Sequence, residues 1–168
     1  MNHKSIVIFT DGAARGNPGP GGFGAIVIFG DKVSELGGRE AHTTNNRMEL
    51  MGAIASLEYL SGTEAKNITL YADSNYVVLG MTEWIERWQR NGWKTANKKP
   101  VENQDLWERL LSAADGKEIQ WKRIDGHKGI VGNERCDEIA TAFADNEPLK
   151  LYSGILENYS IRNILNVS

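Results

Sequence analysis

Two apolar runs in this chain end on a carboxylate, and both predict strands of a sheet. The first is SIVIFT, a continuous β-branched run that is followed at once by Asp11. The second is NITLYA, in which apolar residues alternate with Thr69 and Tyr71 before Asp73. A charge at the end of a buried strand costs free energy unless something compensates it. These two acids therefore constrain the fold and the function together.

The order of the elements indicates an α/β fold. SIVIFT is typical of a central strand that is covered on both faces. FGAIVIFG and KVSELGGRE flank a turn at Gly30 and Asp31, so the first three strands should form an antiparallel meander. From Thr44 the apolar residues recur at helical spacing, and the next strand ends at Asp73. Strand, helix and strand in this order predict a parallel pair with a right-handed crossover.

The remaining segments predict short helices, a fifth strand and a last helix. EIQWKRID is typical of a strand, and NERCDEIATAFAD of a helix. Shorter helical stretches are expected at residues 76–80, 82–90 and 101–114. We therefore expect a five-stranded mixed sheet flanked by helices, in one domain over residues 1–148. The tail, residues 149–168, has apolar residues without an evident partner and is left unassigned.

The composition fits a single globular domain. Of the 168 residues, 40% are hydrophobic and 24% charged, which is ordinary. No apolar run approaches the roughly 18–20 residues of a membrane span, and the N-terminus lacks the layout of a signal peptide. The single cysteine, Cys136, excludes an internal disulfide and a cysteine-based zinc cluster. We expect a cytoplasmic monomer with no membrane partner.

The charge is distributed unevenly along the chain. The formal net charge is −3. WIERWQRNGWKTANKK, here called the basic segment (residues 84–99), has five basic residues and one acid, whereas the rest has 14 basic and 21 acidic residues. Contacts to phosphates need Lys and Arg, so this Trp-rich segment is the part of the chain suited to nucleic acid.

The glycines that follow Asp11 match a dinucleotide-binding pattern, but their context does not. Gly19, Gly21 and Gly24 fit G-x-G-x-x-G. That pattern binds a pyrophosphate when it follows a strand and opens a helix, whereas here it opens the strand AIVIF. Glycine and proline also supply the sharp turns of a hairpin loop, which is the interpretation preferred here.

Two further acids can reach the crevice where Asp11 and Asp73 should project, beyond the carboxyl ends of neighbouring strands. Glu49 is placed in the first turn of the helix before the fourth strand, and Asp137 in the first turn of the last helix. Each also has an ordinary role open to it, since Glu49 follows Asn46 at capping-box spacing and Asp137 can complement the helix dipole. Together, four close carboxylates need a counter-cation. Oxygen ligands of this kind suit Mg²⁺ or Mn²⁺, and two such ions about 3.5–4 Å apart can drive phosphodiester displacement.

Five long motifs, in order and in spacing, resemble the bacterial type 1 ribonuclease H family. They are FTDGAARGNPGPGGFGA, TTNNRMELMGAI, ADSNYV, WIERWQRNGWKTANKKPVENQDLW and GNERCDEIA. The resemblance extends to about Pro148. It implies a ribonuclease H-like fold and hydrolysis of the RNA strand of an RNA–DNA hybrid, with 5′-phosphate and 3′-hydroxyl products. It also implies two Mg²⁺ ions bound with the substrate, for which Mn²⁺ can substitute.

The resemblance also assigns the site residues. The acidic quartet of the family falls on Asp11, Glu49, Asp73 and Asp137, with Asp11 expected to bridge the two ions. His127, in DGHKGIVG, matches a histidine that assists proton transfer or product release.

Contacts to the hybrid are expected from amides, basic residues and a tryptophan. Short amides can donate and accept at the ribose 2′-hydroxyl that distinguishes RNA from DNA, although turns and caps also favour them. Trp84 is expected against a deoxyribose, and residues 87–99 resemble a basic protrusion that holds backbone phosphates. The expected substrate-binding residues are Asn17, His42, Thr44, Asn45, Asn46, Asn75, Trp84, Arg87, Arg90, Lys94, Lys98, Lys99 and Asn103.

Three features depart from the usual pattern of the family. His42 stands where a phosphate pocket usually has arginine, Asp125 stands where a basic residue is common, and the loop KGIVGN is unusual. A titrating imidazole in place of a guanidinium predicts weaker or more pH-dependent binding of the DNA strand.

Two alternatives stay open at this point. A catalytically silent hybrid binder would gain nothing from clustered like charges. A different nuclease or a transposase-like enzyme on the same fold would need further domains, and the fold alone does not separate these activities.

Overall fold

Six strands form one mixed sheet in the order β5-β4-β1-β2-β3-β6. The computed structural model describes residues 5–126 and 128–168. The strands are β1 (Ile6–Ala14), β2 (Gly19–Phe29), β3 (Lys32–Thr43), β4 (Asn67–Ala72), β5 (Glu118–Arg123) and β6 (Ser153–Ile155). The first three strands form the predicted antiparallel meander, and β4 and β5 run parallel to β1. Both the meander and the parallel crossover are thus confirmed.

Helices cover both faces of this sheet. They are α1 (Asn45–Tyr59), α2 (Asn75–Leu79), α3 (Ile85–Arg90), α4 (Gln104–Ala114) and α5 (Val131–Ala144), with a π-helical turn at Gly80–Trp84 and a 3-10 turn at Leu156–Asn158. Several predicted boundaries shift: α4 begins three residues later than expected, α5 begins two residues earlier, and the stretches expected at 76–80 and 82–90 become α2, the π-helical turn and α3. None of the helices in the described part of the chain is long and apolar enough to cross a membrane.

The central strand β1 separates two apolar clusters. Ile6 and Ile8 pack in the cluster that includes the buried residues of α1 and α4, whereas Phe9 packs in the one that includes Cys136 of α5. Successive side chains of a strand point to opposite faces, so a strand between two layers must be apolar on both. This is the physical reason for the unbroken run SIVIFT.

The glycines of β2 serve packing. A Cβ on Gly24 would lie 2.5 Å from the carbonyl oxygen of Cys136, and one on Gly22 would collide with the backbone of Ala140. Both glycines therefore let α5 lie close against the sheet, and the chain continues from them as a strand. The dinucleotide-binding interpretation is excluded by this geometry, because no helix follows the pattern.

The tail adds the strand that the sequence did not predict. β6 pairs antiparallel with β3, with Ser34 beside Ser153 and Lys32 beside Ile155. The expected five-stranded sheet is therefore wrong by one strand. A three-residue strand carries too few positions for a recognisable alternation, and its pairing with β3 is decided by contacts distant in sequence.

A buried ion pair fastens the tail to β3 and α5. The Glu35 carboxylate accepts two hydrogen bonds from the Arg135 guanidinium, at 2.7 and 3.0 Å. It also accepts the Tyr159 hydroxyl at 2.6 Å and the Tyr152 backbone N–H at 2.9 Å. Burial alone would raise the pKa of Glu35, but these donors hold its pKa below the usual value. Every oxygen of this buried acid is thus satisfied.

Candidate active site

The site begins where β1 extends beyond its parallel neighbour. The pairing of β1 with β4 ends at Thr10 and Ala72, whereas its pairing with β2 continues to Ala14. Asp11 is therefore the first residue of β1 past the end of β4, and Asp73 follows β4 directly. The expectation that Asp11 ends its strand is wrong, but the two acids do lie at the same edge of the sheet.

Glu49 reaches this edge because of a glycine. A Cβ on Gly12 would collide with the backbone of Met48 and Glu49, so a side chain at position 12 would push α1 away. The Gly12 N–H also donates to Asp11 Oδ1 at 2.9 Å. This close approach places Glu49 of α1 beside Asp11.

Neither Glu49 nor Asp137 has the helix-start role that the sequence left open to it. Thr44 is the N-cap of α1, and its Oγ1 accepts the Arg47 N–H at 3.2 Å. Glu49 therefore lies in the second turn, outside capping-box spacing. Asp137 also lies in the second turn, because α5 begins at Val131. A role in the first turn of a helix therefore does not account for the position of either acid.

Three of the four predicted acids lie in direct proximity. Carboxylate oxygens of Asp11, Glu49 and Asp73 all lie within 4.8 Å of one another. Asp137 lines the same cavity, of about 760 Å³, together with Asp11 and Asp73. The arrangement is a tight triad with a fourth acid in the cavity wall.

Burial and the mutual repulsion of the three carboxylates favour the binding of a cation. Burial, followed by the charge of Asp73, raises the pKa of Asp11 from 3.8 to about 7. Burial and then the charge of Asp11 raise the pKa of Glu49 well above its usual value. Burial is also the main cause of a raised pKa at Asp73, with a further contribution from Asp137. A divalent ion would reverse all three shifts.

An orphaned oxygen shows that these residues fit a metal ion. Glu49 Oε2 is buried and has no hydrogen-bond partner among the described residues. Buried polar atoms are nearly always satisfied, so an unpartnered carboxylate oxygen beside two further acids is suited to a ligand. The donor set is entirely carboxylate, which matches hard cations such as Mg²⁺ and Mn²⁺.

His127, the histidine predicted to be catalytic, lies outside the described residues, and its role stays a prediction. Its neighbours Asp125 and Gly126 line the cavity, and a Cβ on Gly126 would lie 2.9 Å from Asp73 Oδ2.

Four of the predicted substrate-binding residues line a second, polar cavity of about 410 Å³. It is formed by Asn17, Thr44, Asn46, Glu102 and Asn103. Asn103 adopts the left-handed backbone conformation, and its amide is held by the Tyr76 hydroxyl at 3.0 Å and Arg47 at 3.2 Å. His42 is exposed on β3 and is not among the residues that line this cavity.

The two other predicted amides, Asn45 and Asn75, do not line this cavity. Asn45 Oδ1 accepts the Ala14 N–H at 2.7 Å, and the Asn45 N–H donates to Asn17 Oδ1 at 3.1 Å. These bonds tie the start of α1 to the loop between β1 and β2. Asn75 is exposed at the first residue of α2.

An aromatic cluster anchors the basic segment. Trp84 packs on Trp88 at 5.8 Å between ring centroids and on Tyr76 at 6.1 Å, and Trp88 packs on the fully buried Trp107 at 5.4 Å. Trp84 keeps a partly exposed face. The basic residues of the segment are Arg87, Arg90, Lys94, Lys98 and Lys99, and all of them are exposed. The packed aromatic rings thus support a segment whose basic side chains are exposed.

Sequence reasoning missed several residues that line the cavities, among them two charged ones. Glu102 lies in the second cavity, and Arg123 lies in the acidic one. Arg123 ends EIQWKR, and the rule that placed Asp73 at the edge of the sheet would have placed it there too. Glu102 had no comparable signal, because it lies in an irregular segment.

A mixed sheet with a carboxylate cluster at its edge and a basic surface segment defines the class of metal-dependent phosphoryl-transfer enzymes. Comparison with known proteins narrows the class. The model of the RNase H family matches residues 3–145. A ribonuclease H of Cyanothece sp. is 54% identical over 145 residues, which cover 86% of this chain and 92% of that protein. A ribonuclease H of Rhodopseudomonas palustris is 56% identical over 137 residues, or 82% and 90% of the two chains.

Solved structures of RNase H proteins are similar to this chain in fold. LC9-RNase H1, a type 1 RNase H with the type 2 active-site motif, has a TM-score of 0.82 at 26% identity, over 97% of this chain and 83% of its own. RNase H1 of Halobacterium salinarum has a TM-score of 0.62 at 28% identity, over 84% and 98%. The chain belongs to the RNase H family.

Proposed function

We propose that this RNase H hydrolyses the RNA strand of RNA–DNA hybrids by two-metal-ion catalysis, leaving 5′-phosphate and 3′-hydroxyl ends. The observation that carries the proposal is the triad of Asp11, Glu49 and Asp73, with oxygens within 4.8 Å of one another and one buried oxygen left unpartnered. Membership of the RNase H family supports the same reaction. Mg²⁺ is the proposed resident cation, and Mn²⁺ a substitute.

The four acids would hold the metal ions. Asp11 belongs to the triad with Glu49 and also lines the cavity with Asp73 and Asp137, so it would contribute to holding both cations. When bound, such ions activate the attacking water and stabilise the departing 3′ oxygen. The triad itself is held on rigid elements, β1, α1 and the end of β4, and so keeps its geometry before substrate arrives.

The other predicted residues would position the hybrid. The second cavity, with its amides and Thr44, offers neutral hydrogen-bonding groups to a backbone phosphate or ribose. The basic segment supplies charge for phosphates further along the duplex. We propose that His127 assists proton transfer or product release, and that the protein acts as a cytoplasmic monomer.

The reaction is tested with end-labelled duplexes in Mg²⁺ and in EDTA. Cleavage of the RNA strand of the hybrid is expected, without cleavage of double-stranded DNA, double-stranded RNA or single-stranded RNA. Analysis of the product ends should show 5′-phosphates. Hybrid binding without cleavage in either Mg²⁺ or Mn²⁺ would instead favour a silent binder, and cleavage of double-stranded DNA would favour a different nuclease.

Neutralising the basic segment is expected to weaken binding without slowing chemistry. Replacing Lys94, Lys98 and Lys99 with glutamine should raise KM and flatten the slope of log affinity against log salt, by roughly 0.9 for each phosphate that the segment no longer neutralises. The kcat should change by less than about twofold, because none of these lysines lines the cavity that holds the acids. Steady-state kinetics at several salt concentrations measure both.

A triple variant with the same change in net charge serves as the control. It replaces three exposed lysines elsewhere on the surface: Lys32, Lys66 and Lys150. Equal salt slopes for the two triple variants would contradict a role of the basic segment in phosphate binding.

A further inference from the structure

One positively charged side chain, that of Arg123, lies in the wall of the acidic cavity. The acids that line this cavity are Asp11, Asp73, Asp125, Glu134, Asp137 and Glu138. Among the described residues that line it, Arg123 is the only basic one. A cavity with this surplus of negative charge repels a polyanion, so a single cation there has a large local effect.

The backbone of β5 fixes the position of Arg123. Arg123 is the last residue of β5 and lies in register with Ala72, which precedes Asp73. The Ile124 N–H donates to the Ala72 carbonyl at 2.9 Å and holds the end of β5 at that level. The preceding residue, Lys122, points to the other face of the strand and does not line the cavity.

The guanidinium of Arg123 forms no close ion pair with the described residues. Elsewhere in the molecule, arginines near acids form close ion pairs: Arg15 with Asp145, Arg47 with Asp105, Arg109 with Glu58 and Arg135 with Glu35. Arg123 is exposed and, within residues 5–126 and 128–168, makes no hydrogen bond or ion pair closer than 4.0 Å; its charge acts on Asp73 from farther away and opposes the raised pKa of that carboxyl. Its planar donors are therefore free for an external oxyanion, and phosphate is the group that this geometry fits.

We propose that Arg123 binds a phosphate of the RNA strand at the cleavage site and is a further substrate-binding residue of this enzyme. The inference rests on the proposed function, because it assumes that the hybrid enters the acidic cavity. Arg123 gives the incoming backbone a positive contact in a wall that is otherwise acidic. Arg123 affects the affinity for the hybrid, whereas the acids affect the rate of the chemical step.

The test compares Arg123→Gln, Arg123→Lys and the control Lys122→Gln, with the full chain in Mg²⁺ and an RNA–DNA hybrid as substrate. Arg123→Gln should raise KM about tenfold and leave kcat within about twofold. It should also lower the magnitude of the salt slope by roughly 0.9. Arg123→Lys should recover part of the affinity, because it keeps the charge and loses the bidentate fork. Lys122→Gln should match the wild type.

The outcomes separate this inference from the proposed function. Failure of the wild-type protein to cleave any hybrid would overturn the proposed function. If the wild type cleaves and Arg123→Gln has an unchanged KM and salt slope, the inference alone is overturned. A lower kcat at unchanged KM would likewise overturn it, because Arg123 would then act through the neighbouring Asp73. Thermal unfolding of all three variants should lie close to that of the wild type, since none of them loses a close hydrogen bond or ion pair.

Discussion

Asp11→Asn is expected to lower kcat by about 10³-fold or more and, in the absence of divalent ions, to stabilise the fold. Asparagine keeps the size of the side chain but removes the charge that would bind two cations. A loss of several kcal/mol of transition-state stabilisation corresponds to this factor. Single-turnover cleavage of the hybrid at saturating Mg²⁺ measures it.

The stabilisation should depend on pH in a definite direction. The pKa of Asp11 is raised from 3.8 to about 7 in the folded protein, so the folded state binds this proton more tightly than the unfolded state does. The associated stability is complete below about pH 4 and is lost as the pH rises through about 7. Asp11→Asn should therefore match the wild type near pH 4 and exceed it by roughly 2–4 kcal/mol at pH 8.

Urea unfolding in EDTA and in Mg²⁺ provides the measurement. Mg²⁺ should stabilise the wild type more at pH 8 than at pH 5 and should stabilise the variant less at either pH, because binding to the folded state adds to stability. Asp31→Asn, at an exposed turn, is the control and should leave activity unchanged. Full activity in Asp11→Asn, or equal metal-free stability at pH 8, would contradict the role of Asp11.

Arg135→Gln is expected to lower the free energy of unfolding by about 3–5 kcal/mol. The substitution leaves the Glu35 carboxylate, whose side chain is 1% exposed, without its cation. The hydrogen bonds from Tyr159 and Tyr152 remain, but they do not neutralise a buried charge. The tail should loosen together with this ion pair, since it contributes both of those donors.

Arg109→Gln is the matched control for this prediction. Arg109 also donates two hydrogen bonds to one glutamate, Glu58, at 2.8 and 2.7 Å, but the two side chains are 48% and 42% exposed. Exposed pairs contribute about 0–1 kcal/mol. Urea unfolding of both variants separates the cases, and equal losses would show that burial of the pair has no special importance.

The pH dependence supplies a second readout for the buried pair. The pKa of Glu35 lies below its usual value, so the stability from this ion pair is present above about pH 4.5 and is lost as the pH falls. Arg135→Gln should remove much of this acid-induced loss. The double variant Glu35→Gln, Arg135→Gln should recover part of the stability, because it removes the uncompensated charge.

Much of the fold could be predicted because its signals are local. The apolar run of β1 and the helical spacing from Thr44 each arise within a few residues, and they led to the meander and the crossover. The rule that parallel strands share a carboxyl edge then brought Asp11 and Asp73 together. The same rule applies to β5, where it was not used, and Arg123 was missed.

Other features could not be predicted because they depend on residues far apart in the chain. Glu35 and Arg135 are 100 positions apart, and neither has a neighbour that indicates the pairing. The strand Ser153–Ile155 has three residues and becomes a strand only beside β3. The N-cap of α1 is Thr44 rather than Asn46, which the capping-box spacing to Glu49 had suggested, because several adjacent residues can all cap a helix.

The sequence by itself determined the order of the first five strands and their helices, the four candidate acids and the position of the basic segment, since side-chain pattern and charge are properties of the chain. Only the tertiary structure decided that Glu49 lies beside Asp11 across Gly12 and that the tail adds a sixth strand to the edge of the sheet. The physical reason is that burial and close approach are set by packing between distant elements. Those same distances raise the pKa values of the triad and favour the binding of a cation there.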